Sequence, residues 1–306
     1  MIKGVHHIGA SVQNVGEAAA FYKNAVDLRP EAQFEIKGSQ VADKLLGLDD
    51  VMCKGVLING RTTFLELLQF KSPKPIEQPI KPVNGIGITH VCFQSPETDS
   101  AFEKFKQEGM IRISREDPVH LARPDIRYVY GRDVAGLMFE TELWTTPLQP
   151  FPVWIAHVAF VSADIERLVN FYSKIMLQLD EVREIRRVTG IPALDVVADL
   201  DDVDLRFLQI PAGNILLEFW QYLNPPSPEP TVTPSAEQLG YSHVCFEVVD
   251  LLGEVARLKS LGVEFLSEPL QSNQRWLIYG RDPDGNLFEL IEFLEADAPM
   301  SMERLS

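Results

Sequence analysis

Histidine and glutamate recur in this chain at matching places, and together they could bind metal ions. One histidine stands near the start of each of four similar segments, and one glutamate stands in an apolar run near its end. These residues are His7, His90, His157 and His243, and Glu66, Glu140, Glu218 and Glu289. Imidazole and carboxylate together suit a divalent ion such as Zn, Ni, Co, Mn or Fe(II). Metal binding is the prediction, because buried carboxylates without partners are costly.

The matching positions belong to an internal repeat. The stretch YGRDVAGLMFE, which ends at Glu140, corresponds to YGRDPDGNLFE, which ends at Glu289 about 150 residues later. The segments that begin near His7 and His157 match as well, since a Phe-Tyr pair follows each histidine at the same distance. Proline-rich stretches at 72–82, 145–152 and 224–234 separate the four segments and are predicted to be linkers.

Each segment has the same predicted order of elements. A strand with the histidine comes first, an amphipathic helix follows, and strands ending in the one with the glutamate complete the unit. The helix is clearest at 165–176, where apolar residues recur at helical spacing. The unit is βαβββ used four times, which makes the fold class α+β. Because side chains alternate along a strand, we expect His6 to point away from the face that carries His7.

Composition excludes several classes of protein. The chain has 306 residues, 45% of them hydrophobic, which suffices for two domains with their own cores. A formal net charge of −16 argues against nucleic-acid binding. No apolar run is long enough to span a membrane, and the first residues lack the apolar block of a signal peptide. The three cysteines form no CxxC pair, so we expect a cytoplasmic protein.

The sequence resembles the vicinal oxygen chelate superfamily. The resemblance lies in the histidine strand, the helix ending in Phe-Tyr, the Leu-Glu strand and the final DPDG turn before Glu289. That superfamily includes glyoxalase I, methylmalonyl-CoA epimerase, fosfomycin and bleomycin resistance proteins and extradiol dioxygenases. It implies paired modules, each pair forming a cup-shaped, barrel-like sheet around a metal. The predicted domains are 1–145, with modules 1–70 and 86–145, and 153–296, with modules 153–223 and 239–296.

The glyoxalase I pattern of His, Glu, His and Glu is matched twice. The predicted sites are His7, Glu66, His90 and Glu140 in the first domain, and His157, Glu218, His243 and Glu289 in the second. The resemblance implies proton transfer (isomerisation, lyase chemistry or epimerisation) on a small substrate that chelates the ion through two adjacent oxygens. It also implies that Glu289 and Glu140 move the proton as general base and acid.

Two other functions stay open. An extradiol Fe(II) dioxygenase would use His157, His243 and Glu289 as ligands, with Tyr279 as a further candidate catalytic residue. Against this, Glu218 would fill a position that oxygen needs, and the histidine that the dioxygenase motif expects is absent around 270–272. A ligand-sequestering protein of the bleomycin-resistance type is the third hypothesis.

Further residues are candidates for binding a substrate. Arg123, Arg127 and Arg275 precede the last hairpins and could hold an anionic group. His120 lies where the N-terminal half could supply a dioxygenase-type histidine, although a surface loop is the alternative. The partner expected from the resemblance is a small molecule, and a homodimer is compatible with the sequence.

Overall fold

The computed structural model describes residues 1–77, 79–177, 184–230, 232–272, 274–295, 298 and 300–305. Residue 296, the predicted end of the second domain, lies outside them. Within the described residues the chain forms sixteen strands and six α-helices, with two additional single-turn 3-10 helices. None of these helices is long and apolar enough to cross a membrane.

The predicted βαβββ order is present in all four modules. Module 1 contains β1 (Ile2–Ser11), α1 (Val15–Val26), β2 (Pro30–Lys37), α2 (Gln40–Leu46), β3 (Met52–Asn59) and β4 (Phe64–Ser72). Module 2 contains β5 (Gly87–Pro96), α3 (Ala101–Gln107), β6 (Ile111–Arg112), β7 (Ile126–Arg132) and β8 (Met138–Trp144). Module 3 contains β9 (Trp154–Val161), α4 (Ile165–Ile175), β10 (Arg186–Thr189), α5 (Pro192–Ala198), β11 (Asp204–Pro211) and β12 (Leu216–Asn224). Module 4 contains β13 (Gly240–Val248), α6 (Leu251–Ser260), β14 (Leu270–Ser272), β15 (Arg275–Arg281) and β16 (Leu287–Phe293). The α+β class is confirmed, and α2 and α5 are additions that the sequence pattern did not predict.

Local chemistry explains where the elements begin and turn. The Asn14 side chain accepts hydrogen bonds from the backbone N–H groups of Gly16 and Glu17 and so caps α1. In the last hairpin, Asp282 Oδ1 accepts from the N–H groups of Asp284 and Asn286. Gly285 has φ 84°, the left-handed conformation that favours glycine. This turn sets the register in which β16 returns along β15.

The modules pair differently from the prediction. One eight-stranded sheet has the order β14-β15-β16-β13-β1-β4-β3-β2, and the other has the order β10-β11-β12-β9-β5-β8-β7-β6. Module 1 therefore shares a sheet with module 4, and module 2 shares a sheet with module 3. The predicted domains, 1–145 and 153–296, are wrong as sheet units, although the module boundaries agree with the strands.

The repeat itself could not distinguish the two pairings. Modules 1 and 3 are alike, and so are modules 2 and 4, so the first strand of module 1 meets the same kind of partner strand in either arrangement. The linkers are long enough for both. In the structure the linkers between modules 1 and 2 and between modules 3 and 4 pair with each other. The backbone N–H of Ile76 donates to Glu237, and the N–H of Leu239 donates to the Ile76 carbonyl.

Consecutive modules meet on the helix-bearing faces of the sheets. Phe21 of α1 stacks on Phe105 of α3 at a centroid distance of 5.6 Å. The Tyr22 hydroxyl donates to Asp133 at 2.8 Å, so α1 also holds the β7–β8 hairpin of module 2. Tyr172 of α4 makes the corresponding bond to Asp282 of module 4 at 3.0 Å. The four modules therefore form a closed ring, joined alternately by sheet pairing and by helix packing.

Removing either tyrosine hydroxyl should weaken this ring. Tyr22→Phe and Tyr172→Phe each take one donor from a buried carboxylate, so each should lower the free energy of unfolding by about 1–3 kcal/mol. Urea denaturation followed by circular dichroism measures the difference. Tyr128→Phe is the control, since the half-buried Tyr128 lies on β7 and pairs with β8 of its own module rather than with a consecutive module. Unchanged stability in both variants would show that these bonds do not hold the modules together.

Candidate metal centres

The eight predicted ligands are arranged in four identical rows across the strands. In each row a glutamate, a small residue and a histidine are neighbours on three adjacent strands. The rows are Glu66–Gly9–His243, Glu289–Cys245–His7, Glu218–Ala159–His90 and Glu140–Cys92–His157. The small residue leaves room above the sheet for the imidazole on one side and the carboxylate on the other. A Cβ built on Gly9 would lie only 2.0 Å from Cε1 of His243.

A β-bulge precedes each of the four histidines. The extra residues are His6, Thr89, Ala156 and Ser242. A bulge breaks the alternation of side chains, so an extra residue can lie beside the histidine that follows it. Nδ1 of His6 is 2.7 Å from Nδ1 of His7. The expectation that His6 points away from His7 is therefore wrong, and the bulge is the reason.

Site A, at the pairing of β1 with β13, contains His7, Glu66, His243 and Glu289. The Nε2 atoms of His7 and His243 are 2.9 Å apart. Glu66 Oε2 is 3.6 Å from His7 and 3.5 Å from His243, and Glu289 Oε2 is 3.3 and 3.7 Å from them. Ligand distances of about 2.0–2.2 Å place neighbouring donors of one ion roughly 3–3.5 Å apart. Each carboxylate of site A is near this spacing from both histidines, and His7, Glu66 and His243 have donor atoms that all lie within 4.8 Å of one another.

Site B, at the pairing of β5 with β9, contains His90, Glu140, His157 and Glu218. His157 Nε2 lies 3.1 Å from Glu140 and 3.2 Å from Glu218, and His90 Nε2 lies 3.9 and 4.0 Å from them. Both Nε2 atoms are buried without a hydrogen-bond partner among the described residues. Two buried nitrogens that face two carboxylates fit a bound cation, which would give each of them a partner.

The predicted ligand sets are therefore wrong in their grouping. The sequence placed His90 and Glu140 with His7, and His243 and Glu289 with His157. In the structure these two pairs are exchanged, because each site takes its second half from the module that shares its sheet. The proposed dioxygenase triad of His157, His243 and Glu289 is not formed either, since His157 belongs to site B and the other two belong to site A.

Burial sets the protonation of site A. It lowers the pKa of His7 and of His243 to about 3. Both imidazoles are therefore neutral at ordinary pH, which is the form that coordinates metals. Burial, assisted by the negative charge of Glu289, raises the pKa of Glu66 to about 8. The two carboxylates repel each other, so a cation bound near both would stabilise their ionised forms.

The surroundings of the two sites differ. Site A faces a cavity of about 280 Å³ whose wall includes Phe34, Phe70, Arg275 and Tyr279. The repeat places Trp220 and Tyr128 of site B where site A has Leu68 and Leu277. Trp220 donates its indole N–H to Glu218 at 2.7 Å. Site B thus has larger side chains at these two positions, and one of them donates a hydrogen bond to a candidate ligand.

Tyr279 and Arg275 are the candidate residues that the structure brings to site A besides its ligands. The Tyr279 hydroxyl donates to Glu289 Oε2 at 2.9 Å. Arg275 lies in the cavity wall, and its buried Nε has no hydrogen-bond partner among the described residues.

The other predicted binding residues are engaged in ion pairs or hydrogen bonds with loop or neighbouring groups. Arg123 pairs with Asp125, and Arg127 pairs with Glu97 at 2.6 Å. His120 is exposed and bonds the Ile126 carbonyl, as expected for a surface loop residue.

Family models identify the superfamily. Two models described as Glyoxalase/Bleomycin resistance protein/Dioxygenase superfamily match residues 6–130 and 154–290. The chain belongs to this superfamily. One model spans modules 3 and 4 and the other spans module 1 and most of module 2, so the similarity in sequence follows chain order even though the sheets do not.

Similar proteins within the superfamily are enzymes. The human mitochondrial methylmalonyl-CoA epimerase is 24% identical over 139 residues, which are 45% of this chain and 72% of the epimerase. A lactoylglutathione lyase from Pseudomonas aeruginosa is 36% identical over 53 residues, which are 17% of this chain and 30% of the lyase. The structure of glyoxalase I from Zea mays superposes with a TM-score of 0.60 at 17% identity, covering 94% of this chain and 92% of that one. This last likeness shows a shared fold.

Filling the space at Gly9 should disable site A alone. Gly9→Val keeps strand propensity but places side-chain atoms where the His243 ring lies. If each site binds one ion, metal analysis of the purified protein should fall from two ions per chain to one. Ala159→Gly, at the same position of site B, should retain both. Two ions in Gly9→Val would show that His243 does not need this space.

Proposed function

We propose that this protein is a divalent-metal-dependent enzyme that moves a proton at the carbon next to a carbonyl in a small substrate, with site A as the working site. The observation that carries the proposal is the convergence of two imidazoles and two carboxylates beside a cavity. Tyr279 holds one of these carboxylates, that of Glu289. The expected substrate presents two adjacent oxygens to the ion.

The ligands would be His7, Glu66, His243 and Glu289 in site A, and the matching residues in site B. Zn, Ni, Co, Mn and Fe(II) all accept such a mixed set. When bound, the ion supplies Lewis-acid polarisation of the substrate oxygens. Within the protein, the two neutral imidazoles would supply two of the ligand positions, and burial limits the access of water to the carboxylates.

Glu289 is the proposed acid and base. It takes the proton from the substrate carbon and returns it to the neighbouring carbon, which gives isomerisation, whereas epimerisation needs a second acid that delivers a proton to the opposite face of the same carbon. Glu289 is 3% exposed, so its carboxylate lies in a largely buried environment beside the histidines. The Tyr279 hydroxyl bonds Oε2 and steadies the carboxylate through the transfer. The epimerase and lyase activities of the two relatives fit this class of reaction.

Arg275 indicates the charge of the substrate. Within the described residues its side chain makes no ion pair, yet it lies in the same cavity wall as Glu289 and Tyr279. The repeat places an apolar residue, Ile126, at this position of site B. Two glutamates balance a divalent ion, so the guanidinium leaves one positive charge uncompensated. An anionic substrate would supply the missing charge.

Replacing Glu289 should abolish proton transfer. Glu289→Gln removes the acid and base, so solvent exchange at the substrate carbon should fall by about 10²–10⁴-fold. Exchange is followed by NMR in D2O with methylmalonyl-CoA and with S-lactoylglutathione as probes. Glu140→Gln, the matching change in site B, is the control and should retain most of the rate.

The same purified proteins also distinguish proton transfer from ring cleavage and from ligand sequestration. Metal identity and stoichiometry are measured first, and oxygen uptake with catechol is measured next. Iron with rapid oxygen uptake would overturn proton transfer in favour of ring cleavage. Tight probe binding without exchange in the metal-loaded protein would favour a sequestering protein instead. Retained exchange in Glu289→Gln would remove this residue from the mechanism.

Arg275 can be tested by ligand charge. Malate and lactate share the two adjacent oxygens, but only malate has a second carboxylate. Arg275→Met should weaken malate binding to the zinc-loaded protein by about 10- to 100-fold, the usual loss for a charged hydrogen bond, and change lactate binding little. Calorimetric titration measures both. Arg127→Met is the matched control because Arg127 pairs with Glu97. Equal losses for both ligands would contradict the assignment.

A further inference from the structure

His7 is held from behind by a chain of hydrogen bonds that ends in the C-terminal segment. Nδ1 of His7 contacts Nδ1 of His6, and Nε2 of His6 contacts the Met300 carbonyl at 2.7 Å. A carbonyl only accepts, so His6 Nε2 carries a proton. In a neutral imidazole the other nitrogen then accepts, and His6 Nδ1 receives the proton of His7 Nδ1. This series of hydrogen bonds thereby favours the His7 tautomer with the proton on Nδ1, which leaves the lone pair of Nε2 for an ion.

The segment that supplies this carbonyl is itself anchored. Glu247 of β13 is 1% exposed. It accepts from the Ser301 hydroxyl at 2.7 Å and from the Met302 N–H at 2.8 Å. Lys3 of β1 bonds Glu247 at 2.9 Å and Glu303 at 2.7 Å. The described residues 298 and 300–305 are thus tied to the two strands that carry the histidines of site A.

The other three candidate histidine ligands differ from His7 in the side chain that contacts their Nδ1 atom. The Ser242 hydroxyl contacts His243 Nδ1 at 2.9 Å, and the Thr89 hydroxyl contacts His90 Nδ1 at 3.1 Å. Ala156 holds the same place before His157 and has no polar side chain. Ala156 therefore provides no side-chain hydrogen bond, and the Thr89 hydroxyl also contacts the Ala159 carbonyl on the paired strand β9, at 3.3 Å. His6 instead contacts a carbonyl of the C-terminal segment, which lies outside the sheet.

We propose that His6 is a positioning residue of site A and that docking of the C-terminal segment sets the metal affinity of this site. The inference rests on the metal site of the proposed function. Loss of the Met300 carbonyl leaves the His6 Nε2 proton without its acceptor, so the imidazole pair no longer has one preferred tautomer. His7 then spends part of its time with the proton on the nitrogen that should bind the ion. Site B has no such dependence.

The test measures zinc affinity by competition with a chelator, in protein whose site B is disabled by His157→Ala and Glu218→Gln. His6→Phe should weaken binding by about 10- to 100-fold, the usual effect of removing a support behind a ligand. Phenylalanine preserves the ring packing of His6 against Phe64 and Phe293. His6→Asn should restore part of the loss, because its amide oxygen can accept from His7. If His6 served only to pack against its neighbours, His6→Phe would bind zinc more tightly than His6→Asn.

Ending the chain after Glu295 tests the C-terminal segment. Truncation should weaken zinc binding in the protein whose site B is disabled. In the same protein with His6→Phe, truncation should cause little further loss of zinc affinity, because both changes break the same series of hydrogen bonds. With site A disabled instead by His243→Ala, neither change should affect zinc binding at site B. Unchanged affinity in His6→Phe, or additive losses, would overturn this inference alone. Absence of zinc binding in the parent protein would overturn the proposed function together with it.

Discussion

Antiparallel pairing between the first strands of two modules is the interaction on which both sites depend. Where β1 pairs with β13, Gly9 lies opposite His243 and Cys245 lies opposite His7. The glutamate strands lie parallel on the outer sides, so each carboxylate is the neighbour of the same small residue. No module contains a complete site. Four donors converge only when two modules share a sheet, and a larger side chain in the middle of a row would occupy the space of the imidazole.

The two sites show how much chemistry can differ on one scaffold. Both have two imidazoles and two carboxylates at comparable distances. In site A the donors face a cavity with Arg275 in its wall, and the histidine support extends to the C-terminal segment. In site B the Trp220 indole donates a hydrogen bond to Glu218, and Trp220 and Tyr128 replace two leucines of site A. The two sites therefore differ in the residues around the candidate ligands rather than in the candidate ligands themselves.

The closed ring of modules links sites that share no residue. Sheet pairing joins module 1 to 4 and module 2 to 3, while Phe21, Phe105 and the two Tyr–Asp bonds join consecutive modules. The convex faces of both sheets contribute to one continuous apolar core. Side chains in such a core are close-packed and resist displacement. The strands that hold the ligands are therefore supported from both directions around the ring, which suits sites that need fixed geometry.

The sequence by itself determined the modules, the residue types of the ligands and their positions. These follow from local patterns, since strand alternation, helical periodicity and turn residues act over a few neighbours. The sequence did not determine which module shares a sheet with which, because the repeat makes modules 2 and 4 equivalent partners for module 1. The orientation of His6 was likewise decided by a bulge that exists only once β1 meets β13. Tertiary structure alone therefore decided which four residues form a site and what stands behind them.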